Sequence, residues 1–401
     1  MAWASSPVVP SSEETHVDMR YGINPQQAAA RAVPVNPDRL PLRVLQGRPS
    51  YINLLDALNS WQLVREAAGT LDRPAAASFK HVSPAGAALA GGIDEATARL
   101  YGVDADSVGE LTSAYLRARD ADPKSSYGDF VAVSHEVDVE LAELLARVVS
   151  DGIVAPGYAP GATEILAKKK NGRFLVMEAD PAFEPPEQEN RDVFGLRLTQ
   201  DRDTTALTPD LLADVQVGTL PEQARTDLLL GLAVLRYTQS NSVCYVRDGM
   251  ALGIGAGQQS RVDCTRLAGA KVDTWWLRRH PLVQGLAFRP EVRRQDRVNW
   301  QIRFIEGDLT ADERARFHEA VEVEPGALGP AERADWLARL SGVSFVSDGS
   351  LPFRDNVDHA RRHGVTSIAE PGGSIRSGEV EDACREHGIA LARTGLRLFH
   401  H

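Results

Sequence analysis

Two neighbouring side chains, Lys80 and His81, are the strongest candidates for chemistry in this chain. Histidine moves a proton near neutral pH, so His81 could act as a general base. Lysine adds a compact positive charge with three donors, suited to a developing anion. The pair follows a short apolar run, Ala75-Ala76-Ala77-Ser78-Phe79, which reads as a buried strand. Pro84 and Gly86 come next and predict that the strand stops and the chain turns there. In open α/β sheets, ligands collect in the crevice at strand carboxyl ends. A Lys-His pair at such an end therefore has the composition and the place for proton transfer. The plainer reading is a surface lysine beside a packed histidine, and the pair alone does not exclude it.

Other stretches could hold a ligand. Arg20-Tyr21 precedes an Asn24-Pro25 turn and reads as a phosphate clamp or a loop anchor. Gly253-Ile254-Gly255-Ala256-Gly257-Gln258 looks like a dinucleotide fingerprint, but Gln258 stands where the third glycine is required. Its glycines instead let backbone amides approach an anion or a flat ring. The three cysteines, Cys244, Cys264 and Cys384, are far apart and show no metal-ligand spacing. Their number and spacing suit a reducing cytoplasm rather than a disulfide framework.

The elements that must position these residues are legible in part. The stripe Leu54, Leu55, Leu58, Trp61, Val64 and Ala68 predicts a helix capped by Asn53 and ended by Gly69. Val243–Val246 and Met250–Ile254, joined by Arg247-Asp248-Gly249, predict a hairpin. Residues 178–222 are rich in Asp, Glu, Pro and Thr without a strong period, and the domain junction is expected there. The chain reads as irregular from Trp276 to about residue 300, then as two polar helices over 311–341. Its last part alternates strands (343–346, 365–369, 389–392) with short helices, which predicts βαβ units and a largely parallel sheet. With 44 basic and 55 acidic residues the net charge is −11, which argues against a broad nucleic-acid surface. No apolar run is long enough to cross a bilayer, and the first residues do not read as a signal peptide.

Several motifs together resemble one family. They are RYGINPQQ from Arg20, FKHVSPAG from Phe79, SSYGDF from Ser125, SDGIVAPGY from Ser150, YTQSNSVCY from Tyr237, GIGAGQQSRVDCTRLAG from Gly253, PFRDNVDHA from Pro352 and the terminal LRLFHH. The chain resembles the formyltransferase part of the bifunctional purine-biosynthesis enzyme that acts on aminoimidazole carboxamide ribonucleotide (AICAR). The resemblance implies an α/β fold of two duplicated cytidine deaminase-like α/β/α subdomains, expected at 20–215 and 216–401, after a loose arm over 1–19. It implies a cytoplasmic homodimer with 10-formyltetrahydrofolate as co-substrate. Because RYG arrives at residue 20, a separate IMP cyclohydrolase is expected downstream. No catalytic metal is implied.

The same resemblance assigns roles. His81 takes the proton of the substrate amine, Lys80 stabilises the transition state and Asn241 positions the substrate. Arg20, Tyr21, Gly128, Asp151, Arg261 and Arg397 match nucleotide contacts. Val262, Asp355, Ser374 and Ile375 match folate contacts. Thr238, Ser240, Ser242 and Asp348 resemble a structural potassium site. One departure is visible: Ser350 and Leu351 stand where the animal-type members carry two aromatic residues. That raises two further readings: a paralogue that formylates an AICAR-like nucleotide in nucleoside-antibiotic synthesis, and a non-catalytic nucleotide-binding relative.

Overall fold

The structure is a computed structural model that describes residues 16–27, 29–36 and 39–401. Of the expected arm, residues 1–15 lie outside the described residues, while Val17–Asp18 pairs with Arg31–Ala32 in a short ribbon.

The fold is α/β, built on one sheet of twelve strands. In chain order these are β1 Leu42–Gln46, β2 Ala75–Lys80, β3 Ser83–Leu89, β4 Asp129–Val133, β5 Ser150–Ala155, β6 Leu175–Ala179, β7 Asp214–Val217, β8 Val243–Arg247, β9 Met250–Gly255, β10 Val343–Ser347, β11 Val365–Glu370 and β12 Ala390–Arg393. Across the sheet they run β1-β6-β5-β4-β2-β3-β9-β8-β10-β11-β12-β7. Both halves share one strand order and one pattern of parallel and antiparallel pairs, and they meet at β3 and β9, where Ala88 pairs with Met250. The parallel sheet expected of the C-terminal strands is present in β10-β11-β12, and again in β4-β5-β6. The sheet as a whole is mixed, because hairpins β2–β3 and β8–β9 occupy its centre.

Helices cover both faces. We label α1 Tyr51–Leu71, α2 Glu110–Ala121, α3 Glu222–Arg236 and α4 Arg261–Leu277. Alternating strand residues divide the core. Phe130, Ala132 and Val154 pack with Leu63, Val64, Leu228 and Leu232 under α1 and α3. Val131, Val133 and Ile153 pack with Tyr115, Leu116, Cys264 and Ala268 under α2 and α4. Two glycines set how closely the second layer sits. A Cβ on Gly86 would lie 2.1 Å from the carbonyl oxygen of Ala118, and one on Gly253 would lie 2.3 Å from that of Ala268. Only glycine lets helix backbone rest directly on strand backbone here.

Several local expectations change. Pro84 and Gly86 do not end the strand; they lie inside β3, and the turn is made by His81 and Val82. The cap of α1 is Ser50, which forms a reciprocal capping box with Asn53, and Gly69 sits within the helix. Packing of the long apolar face overrides a single glycine, whose cost is only about 1 kcal/mol. The 178–222 segment contains an exposed ribbon, Gln188–Val193 with Leu196–Asp201, before β7. The stretch read as irregular holds a helix, Arg294–Glu306, whose Val298, Ile302 and Ile305 are buried. Leu277, Val283, Phe317 and Val321 complete its separate small core.

Candidate functional site

Strand directions decide which ends share an edge. The carboxyl ends of β2, β9, β10, β11 and β12 and the amino ends of β4, β5 and β8 all reach the same edge of the sheet. Lys80 closes β2, Gly128 precedes β4 and Asp151 is the second residue of β5. Asn241 precedes β8, and Arg261 follows β9 as the first residue of α4. Asp348 follows β10, Ser374 and Ile375 follow β11, and Arg397 follows β12. Residues 300 positions apart in the chain are thus collected by topology alone.

Lys80 and His81 sit on a strained hairpin. Lys80 pairs with Ser83, leaving His81 and Val82 as a two-residue loop with φ of 54° and 62°. Positive φ at both central residues is the signature of a type I′ turn, normally filled by Asn-Gly or Asp-Gly. A β-branched valine there is a true outlier. Asp56, on α1, holds the turn: its Oδ1 accepts the backbone N–H of Val82 at 2.7 Å. The carboxyl is buried, and burial raises its pKa to about 7, against the Val82 bond that lowers it and with the Asp151 charge that raises it further. The Lys80 ammonium donates to the carbonyl of Tyr127 at 2.6 Å, and His81 is exposed.

Around this hairpin the first half supplies a rigid frame. Buried Asp129 accepts from Arg119 at 2.7 Å and from Ser78 at 2.8 Å, with Tyr115 at 3.3 Å. Gly128, just before it, has φ of 78° and open space at its Cβ position. Asp151 is exposed and pairs with Lys170. Arg20 is tied to the same corner: its N–H donates to Pro49 and its guanidinium to Asn53 Oδ1 at 3.2 Å, while it lies 5.8 Å from the Tyr21 ring.

The second half supplies a different group. Arg261 is buried and makes an ion pair with Asp348. It also donates to Ser347 Oγ at 3.0 Å and, through Nη2, to Asn241 Oδ1 at 2.7 Å. The Asn241 amide donates to the carbonyls of Gln258 and Gln259, both at 3.0 Å. Every polar atom of the Asn241 side chain is therefore spoken for. Asp348 also accepts from Ser242 N–H at 2.9 Å and its hydroxyl at 3.0 Å, and from Ser240 at 2.5 Å. Thr238 donates to Val234 at 2.6 Å. The terminal LRLFHH stretch lies across this network, with Leu398 N–H on the Asp348 carbonyl, Ser240 N–H on the His400 carbonyl and His400 N–H on the Ser240 hydroxyl. Asn241, Gln258, Phe399 and His401 line a cavity of about 340 Å³.

The remaining predicted residues are spread along the rim. Val262, Asp355 and Ser374 are half-buried, Arg397 is exposed, and Ile375 projects fully into solvent. Arg397 lies over the Phe399 ring at 4.7 Å. Ser350 and Leu351 behave differently from each other. Leu351 is buried in the core, and its N–H is held by Glu370 at 3.1 Å. Phe353, two residues on, is half exposed beside Arg376. Asp56, Asn53, Phe353 and Phe399 are the neighbours that residue-by-residue reading missed. The signal for Asp56 was a carboxylate set inside the apolar stripe of α1.

A family model described as the AICARFT/IMPCHase bienzyme matches residues 4–271. Among curated proteins, the chain is similar to bifunctional purine biosynthesis proteins PurH. That of Magnetococcus marinus is 31% identical over 389 residues, which is 96% of this chain and 59% of the relative. That of Roseobacter denitrificans is 33% identical over the same shares of the two chains. That of Ruegeria sp. is 30% identical over 387 residues. The chain therefore spans about 59% of the length of the relatives it matches.

Proposed function

The chain belongs to the AICARFT/IMPCHase bienzyme family, and from that premise we propose that it transfers a formyl group from 10-formyltetrahydrofolate to the 5-amino group of AICAR. The observation that carries this reading is the convergence of Lys80, His81 and the nucleotide-contact candidates on one edge of the sheet. The attacking amine is aromatic and conjugated with a carboxamide, hence a poor nucleophile. It needs a base in line and an electrophile held at contact distance. His81 accepts the amine proton as the new C–N bond forms. Lys80 meets the oxyanion of the tetrahedral intermediate, where a single donor is worth roughly 3–4 kcal/mol. Collapse breaks the bond from the formyl carbon to the folate nitrogen, which leaves with a proton as tetrahydrofolate.

Arg20, Tyr21, Gly128, Asp151, Arg261 and Arg397 are assigned to the nucleotide, and Val262, Asp355, Ser374 and Ile375 to the folate. Arg261 acts through Asn241, because its guanidinium is buried and one nitrogen holds the Asn241 carbonyl. β2 and β8 are separated by three strand spacings, about 14 Å. A homodimer that sets the Lys80 edge of one copy against the Asn241 edge of the other would close that gap. The shared strand order of the two halves supports duplicated deaminase-like subdomains, divided near residue 215. Potassium would rest on the neutral oxygens of Thr238, Ser240 and Ser242, because Arg261 already balances Asp348. None of the described helices is long and apolar enough to cross a membrane, which fits the cytoplasmic reading. The case for an altered nucleotide weakens, since Leu351 is a core residue and Phe353 and Phe399 offer exposed rings.

The test is a steady-state assay of tetrahydrofolate release from AICAR and 10-formyltetrahydrofolate. Turnover with AICAR is expected, and His81→Ala should lose at least about 10²-fold while still binding nucleotide. Background turnover with AICAR but good turnover with a close analogue would overturn the substrate assignment.

A further inference from the structure

Two adjoining cavities lie away from the edge described above and share with its frame only Arg119. The larger, about 420 Å³, is lined by Arg99, Arg278, Arg294 and Arg297 and by an apolar wall that includes Leu286 and Phe288. The smaller, about 60 Å³, adds Arg119 and Arg147 and shares Arg294. Six arginines face these spaces, and no carboxylate among the described residues lines either one. In a chain with a net charge of −11 that is a marked local inversion.

Some of this charge is balanced from behind. Arg119 pairs with buried Asp129, Arg278 with buried Asp120, and Arg99 with Glu95 at the surface. The rest is not. Arg297 gives its nitrogens only to backbone carbonyls, those of Val292, Arg289 and Pro290. Arg294 keeps Nη1 buried without a hydrogen-bond partner. Burial pushes its pKa down, Tyr101, whose ring lies 5.9 Å away, pulls it partly back, and the like charges of Arg147 and Arg119 push it down again. A buried donor without an acceptor costs about 1–3 kcal/mol, more when charged. An arginine held beside other arginines adds repulsion. An anion in the cleft would relieve both at once.

We propose that this arginine-lined cleft is a second ligand site, for an organic phosphate the size of a mononucleotide. Arg294 and Arg297 present planar forks that match phosphate oxygens. Leu286, Phe288 and Val292 give the apolar body a wall. The volume falls in the range of small-molecule sites. This inference stands apart from the formyl-transfer reading and survives its failure.

Isothermal titration of the whole chain with AMP, and separately with pyrophosphate, tests it. Arg20→Ala combined with Arg397→Ala, which removes two of the assigned nucleotide contacts, serves as background, so that binding at the edge site is weakened. One saturable site for AMP is expected, weakening as salt rises. Arg294→Gln combined with Arg297→Gln should weaken it at least about tenfold. Arg147 is exposed, so Arg147→Gln leaves the fold intact and should weaken AMP about threefold. Pyrophosphate is expected to bind more weakly than AMP, because it leaves the apolar wall uncovered. The proposal falls if AMP gives no saturable heat on that background. It falls equally if the binding is indifferent to both Arg147→Gln and the double variant.

Discussion

Asp56 gives the sharpest test of how the Lys80-His81 hairpin is built. The carboxyl is buried and its pKa is raised to about 7. In the unfolded chain it titrates at the ordinary carboxylate value of 3.8. The native state therefore holds this proton more tightly than the unfolded state does. By linkage, the ionised group costs stability, and the cost grows as pH rises from about 4 to about 7. A difference of about three pKa units corresponds to about 4 kcal/mol once the pH is above both values. At pH 5 most of the native carboxyl is still protonated, and the cost is only about 2 kcal/mol. Asp56→Asn keeps an oxygen for the Val82 N–H and removes the charge. The variant should thus be more stable than the parent by about 4 kcal/mol at pH 8, and that advantage should shrink to about 2 kcal/mol at pH 5. Urea titrations of both proteins at the two pH values measure this directly. An advantage that is the same at pH 5 and pH 8 would refute the argument, as would a less stable variant at pH 8. Turnover is expected to fall in the same variant, because a destabilising charge retained beside a candidate base points to function.

Three other substitutions separate structure from chemistry. Val82→Gly should raise stability by up to about 1 kcal/mol by removing a β-branched residue from a left-handed position, yet lower kcat by letting His81 wander; urea midpoints and steady-state rates read the two effects, and unchanged kcat would show that the turn's rigidity is irrelevant. Arg261→Met should destabilise by about 3–5 kcal/mol, because Asp348 is left buried without its cation, whereas exposed Arg397→Ala should change stability by less than about 0.5 kcal/mol and act on nucleotide affinity alone; equal thermal shifts would contradict the assignment of Arg261 to the buried network.

What the sequence made legible follows from range. The hairpin Val243–Val246 with Met250–Ile254 was readable because Asp248-Gly249 suits the positive φ its turn requires. The hairpin that matters most was misread for the same reason: His81-Val82 carries no turn signal, so Pro84 and Gly86 drew the turn three residues too far along. Gly86 lies in mid-strand to admit the Ala118 backbone, a contact 32 residues away that no local rule can anticipate. The rim residues were found by motif, but their partition into a Lys80 group and an Asn241 group depends on strand order. The helix Arg294–Glu306 has no clear helical stripe, because Val298, Trp300, Ile302 and Phe304 alternate with polar residues, and its packing shows only in the fold. Leu351 is legible in the sequence only as a departure from the family's aromatic pair, and its interior position shows in the fold alone.

The two halves of the sheet make the same hairpin by the same device, and the difference between them bears on the role proposed for His81. Asp56 is the sixth residue of α1, and its carboxylate holds the β2–β3 turn through Val82 N–H. Asp227 is the sixth residue of α3, and its carboxylate holds the β8–β9 turn through Gly249 N–H at 2.6 Å and Asp248 N–H at 3.1 Å. Both carboxyls are buried, and burial raises both pKa values, that of Asp227 to about 6. In the second half the turn is Asp248-Gly249, residues at home with positive φ, so a carboxylate that stabilises it has a purely structural task. In the first half the same support holds His81-Val82, residues that resist the conformation. A duplicated brace that steadies an easy turn in one half therefore restrains a costly one in the other. In the first half the turn sets the exposed His81 next to Lys80 at the sheet edge, the placement that the proposed proton transfer requires.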